Sequence, residues 1–463
     1  MKNMLSIIGM LLSSTALQAA PLSFANCTDG VLPGSQCAVL ARPDGEIFVR
    51  KVTADVPAGQ PARGTLWLVA GGPGESGASF YQLLPTLRRS FPGFQFYLPD
   101  HRGTGNSVRL CPAEEAADSA GGRALAGAEW ASCFARLNDA PELASQFSIT
   151  AAANDLKTLI EGERDPAQAP VYLYGVSYGT QLVLRTLQLG PLPVKGVLLD
   201  SLVPPQTDPR WDLSQRSHVV NQVGLQVLAE CDLDSACHAQ LGEPAQDLLR
   251  RVLGKLQADP AQLAKIPGKN LKNFLGGMLD VPVARERIIA LLQDLDRGGE
   301  TELASVRASL SAVATSLGSY AQSPLSIPLV SIISNAENNL QPDLRPKHNA
   351  GDLERDEATL LFTSPLPRIL AGGGLPTYKR DQYFGQLPES LPPTLVLHGT
   401  LDPKTPYVGA QAMVQMMQRH SGGPVALSSM ARAPHFILWT APACFEQASL
   451  RFIAGQPAQD CVL

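Results

Sequence analysis

Residues 170–184 read PVYLYGVSYGTQLVL. The apolar run Val171 to Tyr174 has the length and side-chain types of a buried strand, and from Tyr178 onward the pattern becomes helical. Between them, Gly175-Val176-Ser177-Tyr178-Gly179 sets a serine between two glycines where a strand turns into a helix. Packing does not require this, because a tight turn strains the backbone and a serine adds nothing to a core. The G-x-S-x-G elbow does require it: the turn lifts the serine Oγ above the sheet, and the glycines let neighbouring backbone approach. An ordinary glycine turn is the plainer reading, but the strand before and the helix after favour a nucleophile. Ser177 is the candidate.

With Val171 to Tyr174, similar short runs occur on either side of it, at Thr65 to Val69, Phe94 to Leu98 and Val194 to Leu199. They are apolar throughout rather than alternating, as strands of a parallel sheet buried on both faces are, and helical patterns separate them. The class is α/β. From about Trp211 to about Leu387 only helical patterns are found, and then Thr394 to Leu397 and Val425 to Leu427 resume the alternation. The expected organisation is a leader at 1–20, a first core part at 21–208, a helical cap insertion at 209–387 and a second core part at 388–463.

In an open parallel sheet, reactive groups gather on the loops at the strands' carboxyl ends. A serine hydroxyl needs a histidine to take its proton and an acid to orient that histidine. In this architecture the chain order is Ser, acid, His, which points to Asp402, just after Thr394 to Leu397, and to His435 after the next strand. Asp200, which ends another strand, is a rival for the acid. His420 ends a helix, where a cation complements the dipole. His398 adjoins the acid loop and suits a hydrogen-bonding role beneath the site. His101, His218, His238 and His348 precede the acid, so chain order counts against them. Two backbone N–H groups should receive the developing oxyanion: Tyr178, following the nucleophile, and Gly72, in the Gly71-Gly72-Pro73-Gly74 loop after Thr65 to Val69.

The chain has 463 residues, 44% of them hydrophobic, ample for a large core. With a net charge of -5 and no block of like charge, it has no features that favour nucleic acid or an anionic membrane as partner. A peptide or other small molecule fits better, and the expected chemistry needs no metal or cofactor. Residues 1–20 read as a secretory signal peptide cleaved after Ala19 or Ala20, which implies a secreted or periplasmic protein without stable membrane association. Eight cysteines agree with export. Neighbours in sequence close the cheapest loops, so the expected pairs are Cys27 with Cys37, Cys111 with Cys133, Cys231 with Cys237 and Cys444 with Cys461. Ala308 to Ala336 is uncharged, but its eight serines and two prolines suit buried helices better than a membrane span.

Taken together, GGPG at 71–74, DHRGTGNS at 100–107, GVSYGTQL at 175–182, LDPKTP at 401–406 and a late histidine resemble the proline iminopeptidase and tripeptidyl aminopeptidase family. The resemblance spans about 25–205 and 388–463. It implies the α/β-hydrolase fold: a mostly parallel sheet, helices on both faces and an inserted helical cap. It also implies serine exopeptidase activity with Ser177 as nucleophile, Asp402 as acid and His435 as base. A cap acidic residue should face the substrate's free amine; the candidate is Glu337, with Asn335. The run 351–360 offers rival carboxylates but reads as an exposed helix face. Ala70, Ser334 and the Pro434-His435-Phe436 context depart from the family pattern without removing a catalytic atom. The same machinery serves esters, so a carboxylesterase of small esters is an alternative, and a non-catalytic binding module is a second.

Overall fold

The computed structural model describes residues 22–122, 125, 127–163, 169–340, 350–371 and 376–462. The leader expected at 1–20 lies outside the described residues. Ten strands form one sheet: β1 (Ala25–Asn26), β2 (Gln36–Arg42), β3 (Gly45–Val52), β4 (Gly64–Val69), β5 (Phe94–Pro99), β6 (Val171–Val176), β7 (Gly196–Asp200), β8 (Thr394–Gly399), β9 (Val425–Ala431) and β10 (Cys461–Val462). Their order is β1-β2-β3-β5-β4-β6-β7-β8-β9-β10. From β5 to β10 every neighbouring pair is parallel, whereas β1–β2, β2–β3 and β3–β5 are antiparallel.

Every residue of β4, β7 and β8 is buried, which is why these strands read as unbroken apolar runs. Successive side chains still alternate between faces. Trp67 and Val69 join the core on one side with Leu173 and Leu182, while Leu66 and Leu68 join the other with Tyr174 and Phe445. The register pairs Val69 with Gly175, Val176 with Asp200 and Asp200 with Leu397. The carboxyl ends of β4, β6, β7 and β8 are therefore level, and the loops that follow them leave from one edge.

Between β7 and β8 the described residues form helices and no strand, among them Arg216–Leu233, Ala245–Ala258, Leu271–Met278, Ile288–Asp296, Thr301–Leu317 and Ile327–Glu337. Most of them share a hydrophobic cluster of their own, including Leu249, Leu275, Leu291 and Phe362. The expectation of buried helices over 308–336 needs correction. Ile327–Glu337 is largely buried, but Thr301–Leu317 buries only Leu303 and Val306, and most residues of its second half, Ser311 and Ser316 among them, are exposed. The antiparallel edge β1–β3 was not anticipated either, although Pro43-Asp44-Gly45 is a turn signal between its two longer strands. The four disulfides pair the cysteines as expected from loop closure.

Candidate active site

The two elbow glycines have separate steric causes. A Cβ on Gly175 would lie 2.4 Å from the Gly179 carbonyl oxygen, and a Cβ on Gly179 would lie 2.4 Å from the Val69 carbonyl oxygen. Helix Tyr178–Gln188 thus starts hard against the end of β4, a closeness no side chain permits. Ser177 itself sits at φ 55, ψ -124, a backbone region that L residues seldom adopt. Strain of this kind persists only where surrounding contacts over-determine it. Here the Ser177 N–H donates to the Asp200 carbonyl at 2.9 Å, and its own carbonyl accepts from the Thr180 N–H at 2.8 Å. Gly71 closes the other side, since a Cβ there would stand 3.1 Å from the Ser177 Cβ.

Asp402 follows β8 and is fully buried. Its Oδ2 lies 2.8 Å from His435 Nδ1 and also accepts from the Thr405 hydroxyl at 2.8 Å. Its Oδ1 accepts the backbone N–H groups of Lys404 and Thr405, each at 2.8 Å. Burial alone would raise the Asp402 carboxyl, but the charge and hydrogen bond of His435 outweigh it and hold the group below the usual carboxylate range. An anion is thereby fixed behind the imidazole. His398 lies beneath: its Nδ1 accepts from the Leu202 N–H at 3.0 Å, so its proton resides on Nε2, 2.7 Å from the Thr405 carbonyl. Burial lowers its pKa, which keeps it neutral beside the acid.

Asp200, the rival acid, has other partners. Its Oδ1 accepts the Ile437 N–H at 2.9 Å and its Oδ2 accepts the Leu438 N–H at 3.0 Å and the Tyr174 hydroxyl at 2.7 Å. Ser201 Oγ accepts the Phe436 N–H at 2.8 Å. The end of β7 therefore pins the three residues after His435. The DHRGTGNS loop is likewise structural. The buried Asp100 carboxylate accepts the N–H groups of Gly77 and Asn106, both at 2.8 Å, and Arg102 grips Asp155 through two bonds of 2.7 and 2.9 Å.

Ser177, Gly72, Tyr178 and His435 line one cavity of about 540 Å³. Cap residues Arg216, Val313, Val330 and Asn338 complete its walls. Gly72 has φ 103, and a Cβ there would meet the Gly74 nitrogen at 2.7 Å. Tyr178 is the first residue of its helix, so its N–H has no intrahelical acceptor.

Glu337 and Asn335 are not brought into this wall. The Glu337 carboxylate is buried against Arg185 at 3.4 Å, Gln206 at 2.9 Å and the Tyr378 hydroxyl at 2.8 Å, joining cap to core. The Asn335 side chain accepts from Asn339. Charged residues that sequence reasoning assigned no role do line the cavity: Glu75, Asp212, Arg216, Asp280 and Lys404. Of these, Glu75 adjoins GGPG and Lys404 lies within LDPKTP, so motif position could have found both; the other three stand in no motif. Among the described residues no group of three or more His, Cys, Asp or Glu side chains could hold a metal ion, and no helix is long and apolar enough to cross a membrane.

Residues 64–226 match the family model described as alpha/beta hydrolase fold, and residues 370–455 match the model described as TAP-like protein. No curated protein matches the chain. Among solved structures it is similar to a laboratory-evolved variant of potato epoxide hydrolase StEH1, at 14% identity over 91% of this chain and 99% of that one, with a TM-score of 0.41. VinJ is 13% identical over 90% and 98% of the two chains, with a TM-score of 0.41. Epoxide hydrolase VrEH1 from Vigna radiata is 13% identical over 91% and 98%, with a TM-score of 0.38. Likenesses this distant carry no argument about activity. The sheet order, the level loop edge and the match over 64–226 show the α/β-hydrolase fold, and the segment bearing Asp402 and His435 matches the TAP-like model.

Proposed function

We propose that this chain is a serine exopeptidase that releases residues from the amino end of short peptides through an acyl-enzyme. The observation that carries this reading is the 2.8 Å bond between Asp402 and His435 at the cavity that Ser177 lines. Ser177 Oγ attacks the scissile carbonyl and passes its proton to His435. The Gly72 and Tyr178 N–H groups receive the oxyanion. His435 then delivers the proton to the departing amine, and water, deprotonated by the same imidazole, hydrolyses the ester on Ser177.

The TAP-like match over 370–455 agrees with the resemblance to tripeptidyl aminopeptidases. Four disulfides suit an oxidising compartment, secreted or periplasmic. For the substrate's ammonium group, Glu75 is the carboxylate at hand. Its Oε2 lies 3.6 Å from the Cβ position at Gly71 that adjoins Ser177.

The test is steady-state hydrolysis of chromogenic amides of proline, alanine and tripeptides with free and blocked amino termini, beside short acyl esters, on wild type, Ser177→Ala and Glu75→Gln. Free-amine amides are expected to be preferred, Ser177→Ala to be inactive, and Glu75→Gln to raise KM for free-amine substrates alone. Equal turnover of blocked amides or of esters sinks the exopeptidase reading. Activity in Ser177→Ala removes the mechanism.

A further inference from the structure

Arg216 is the first residue of helix Arg216–Leu233 and lines the catalytic cavity. Among the described residues its guanidinium has no ion-pair or hydrogen-bond partner. The other charged residues of the wall are engaged. Lys404 pairs with Asp280. Asp212 accepts the N–H groups of Ser214 and Leu340, and Glu75 accepts from Ser79 Oγ at 3.3 Å. Helix stability does not explain an arginine here, because a cation in the first turn opposes the positive end of the dipole. Arg216 shares the cavity wall with Lys404 and Thr405 of the acid loop and with His435; burial lowers its pKa, and the more distant charges of Asp402 and Asp280 oppose that. Since a guanidinium remains charged in proteins, a half-buried one with no direct ion pair or hydrogen bond is a ready anion site, and its fork matches a carboxylate.

We propose that Arg216 binds a free carboxylate on the leaving-group portion of the substrate, so that the preferred substrates are short peptides whose own carboxyl terminus reaches into the catalytic cavity. The assignment to the leaving group rests on the serine-exopeptidase reading. His435 gives its proton to the departing amine, so the leaving group lies against the wall formed by His435, Lys404 and Thr405. The volume agrees, as a cavity of about 540 Å³ holds a ligand of drug-like size and not a folded chain.

The experiment compares kcat/KM, by chromatography of the released product, for di- to tetrapeptides with a free carboxyl terminus and for the same peptides as carboxamides. Wild type, Arg216→Gln and Arg216→Lys are assayed as full mature chains, with thermal melts to confirm folding. Wild type is expected to favour the free acids by about 10- to 100-fold, mainly through KM. Arg216→Gln should bring that ratio to about one, and Arg216→Lys should restore part of it. If Arg216 served only as a counter-charge for Asp402, its loss would slow acids and amides alike and leave the ratio intact. Equal use of acid and amide by wild type, or a ratio that survives Arg216→Gln, overturns the proposal. Should wild type cleave esters but no peptides, the exopeptidase reading fails by itself. The ratio is then measured on esters whose alcohol part bears a carboxylate or its amide: its loss in Arg216→Gln upholds the anion site, and its survival overturns it.

Discussion

The Asp200 carboxylate accepts the Ile437 backbone N–H at 2.9 Å, so the end of one central strand holds the chain two residues beyond His435. Asp200→Ala would leave that N–H, the Leu438 N–H and the Tyr174 hydroxyl buried without their acceptor. The expected cost is about 3 kcal/mol of stability. Released from its anchor, the His435 loop should shift, and kcat should fall by about 100-fold with KM nearly unchanged. Urea denaturation and steady-state kinetics read the two effects separately. Full activity in a destabilised variant would show that the anchor does not position the histidine.

Asp402→Asn tests which acid orients the imidazole. It removes the charge but keeps the shape, and kcat is expected to drop by about 10⁴-fold through the wrong histidine tautomer. Asp200→Asn, which retains one acceptor oxygen, should cost far less. The reverse ranking, measured on chromogenic substrate with matched circular dichroism, would transfer the role to Asp200.

Gly179→Ala should be among the most damaging single-methyl changes in the chain. Its Cβ would meet the Val69 carbonyl at 2.4 Å and the Ala70 carbonyl at 2.8 Å, backbone atoms at and just past the end of a central strand that cannot move aside. A loss of about 3 kcal/mol is expected, with activity falling further as Ser177 is displaced. Gly254→Ala, where a Cβ meets open space, is the control and should leave the melting temperature unchanged or slightly raised. Equal melts for the two variants would contradict the steric account of the elbow.

Burial pushes the Asp100 carboxyl up to about 6 from 3.8, although the Asn106 and Gly77 N–H groups oppose the rise. The folded protein therefore binds this proton where the unfolded chain has already released it. Stability from Asp100 is full below pH 3.8 and is lost as pH rises through 6, by about 3 kcal/mol. Wild type and Asp100→Asn, unfolded in urea from about pH 4 to about pH 7, should differ in slope, with the asparagine variant lacking this decline. Parallel curves would show that Asp100 does not titrate in that window.

The placement of the candidate site residues was largely legible in sequence because they lie on loops that punctuate strands. GVSYG between an apolar run and a helix marks Ser177. The order of Ser, Asp and His, with each residue just past a strand, selects Asp402 and His435 from many acids and seven histidines. Local patterning also suffices for the central strands, since burial on both faces writes itself as unbroken apolar runs. Cysteine spacing suffices for the disulfides, since the shortest loops are the ones closed.

What only the tertiary structure decided are the contacts between segments distant in the chain. Asp200 ends one strand and Asp402 follows the next, and nothing local separates an acid that bonds an imidazole from one that bonds the backbone beyond it. Glu337 reads as a free cap carboxylate until Arg185, 152 positions earlier, and Tyr378, 41 positions later, are folded against it. Arg216 stands in no motif, and only the folded cap brings it to the wall of the cavity. Sequence periodicity reports which face of an element is buried, but not which element buries it. The elbow that carries the proposed nucleophile was therefore written locally, while the walls of the cavity above it arise where the cap meets the sheet.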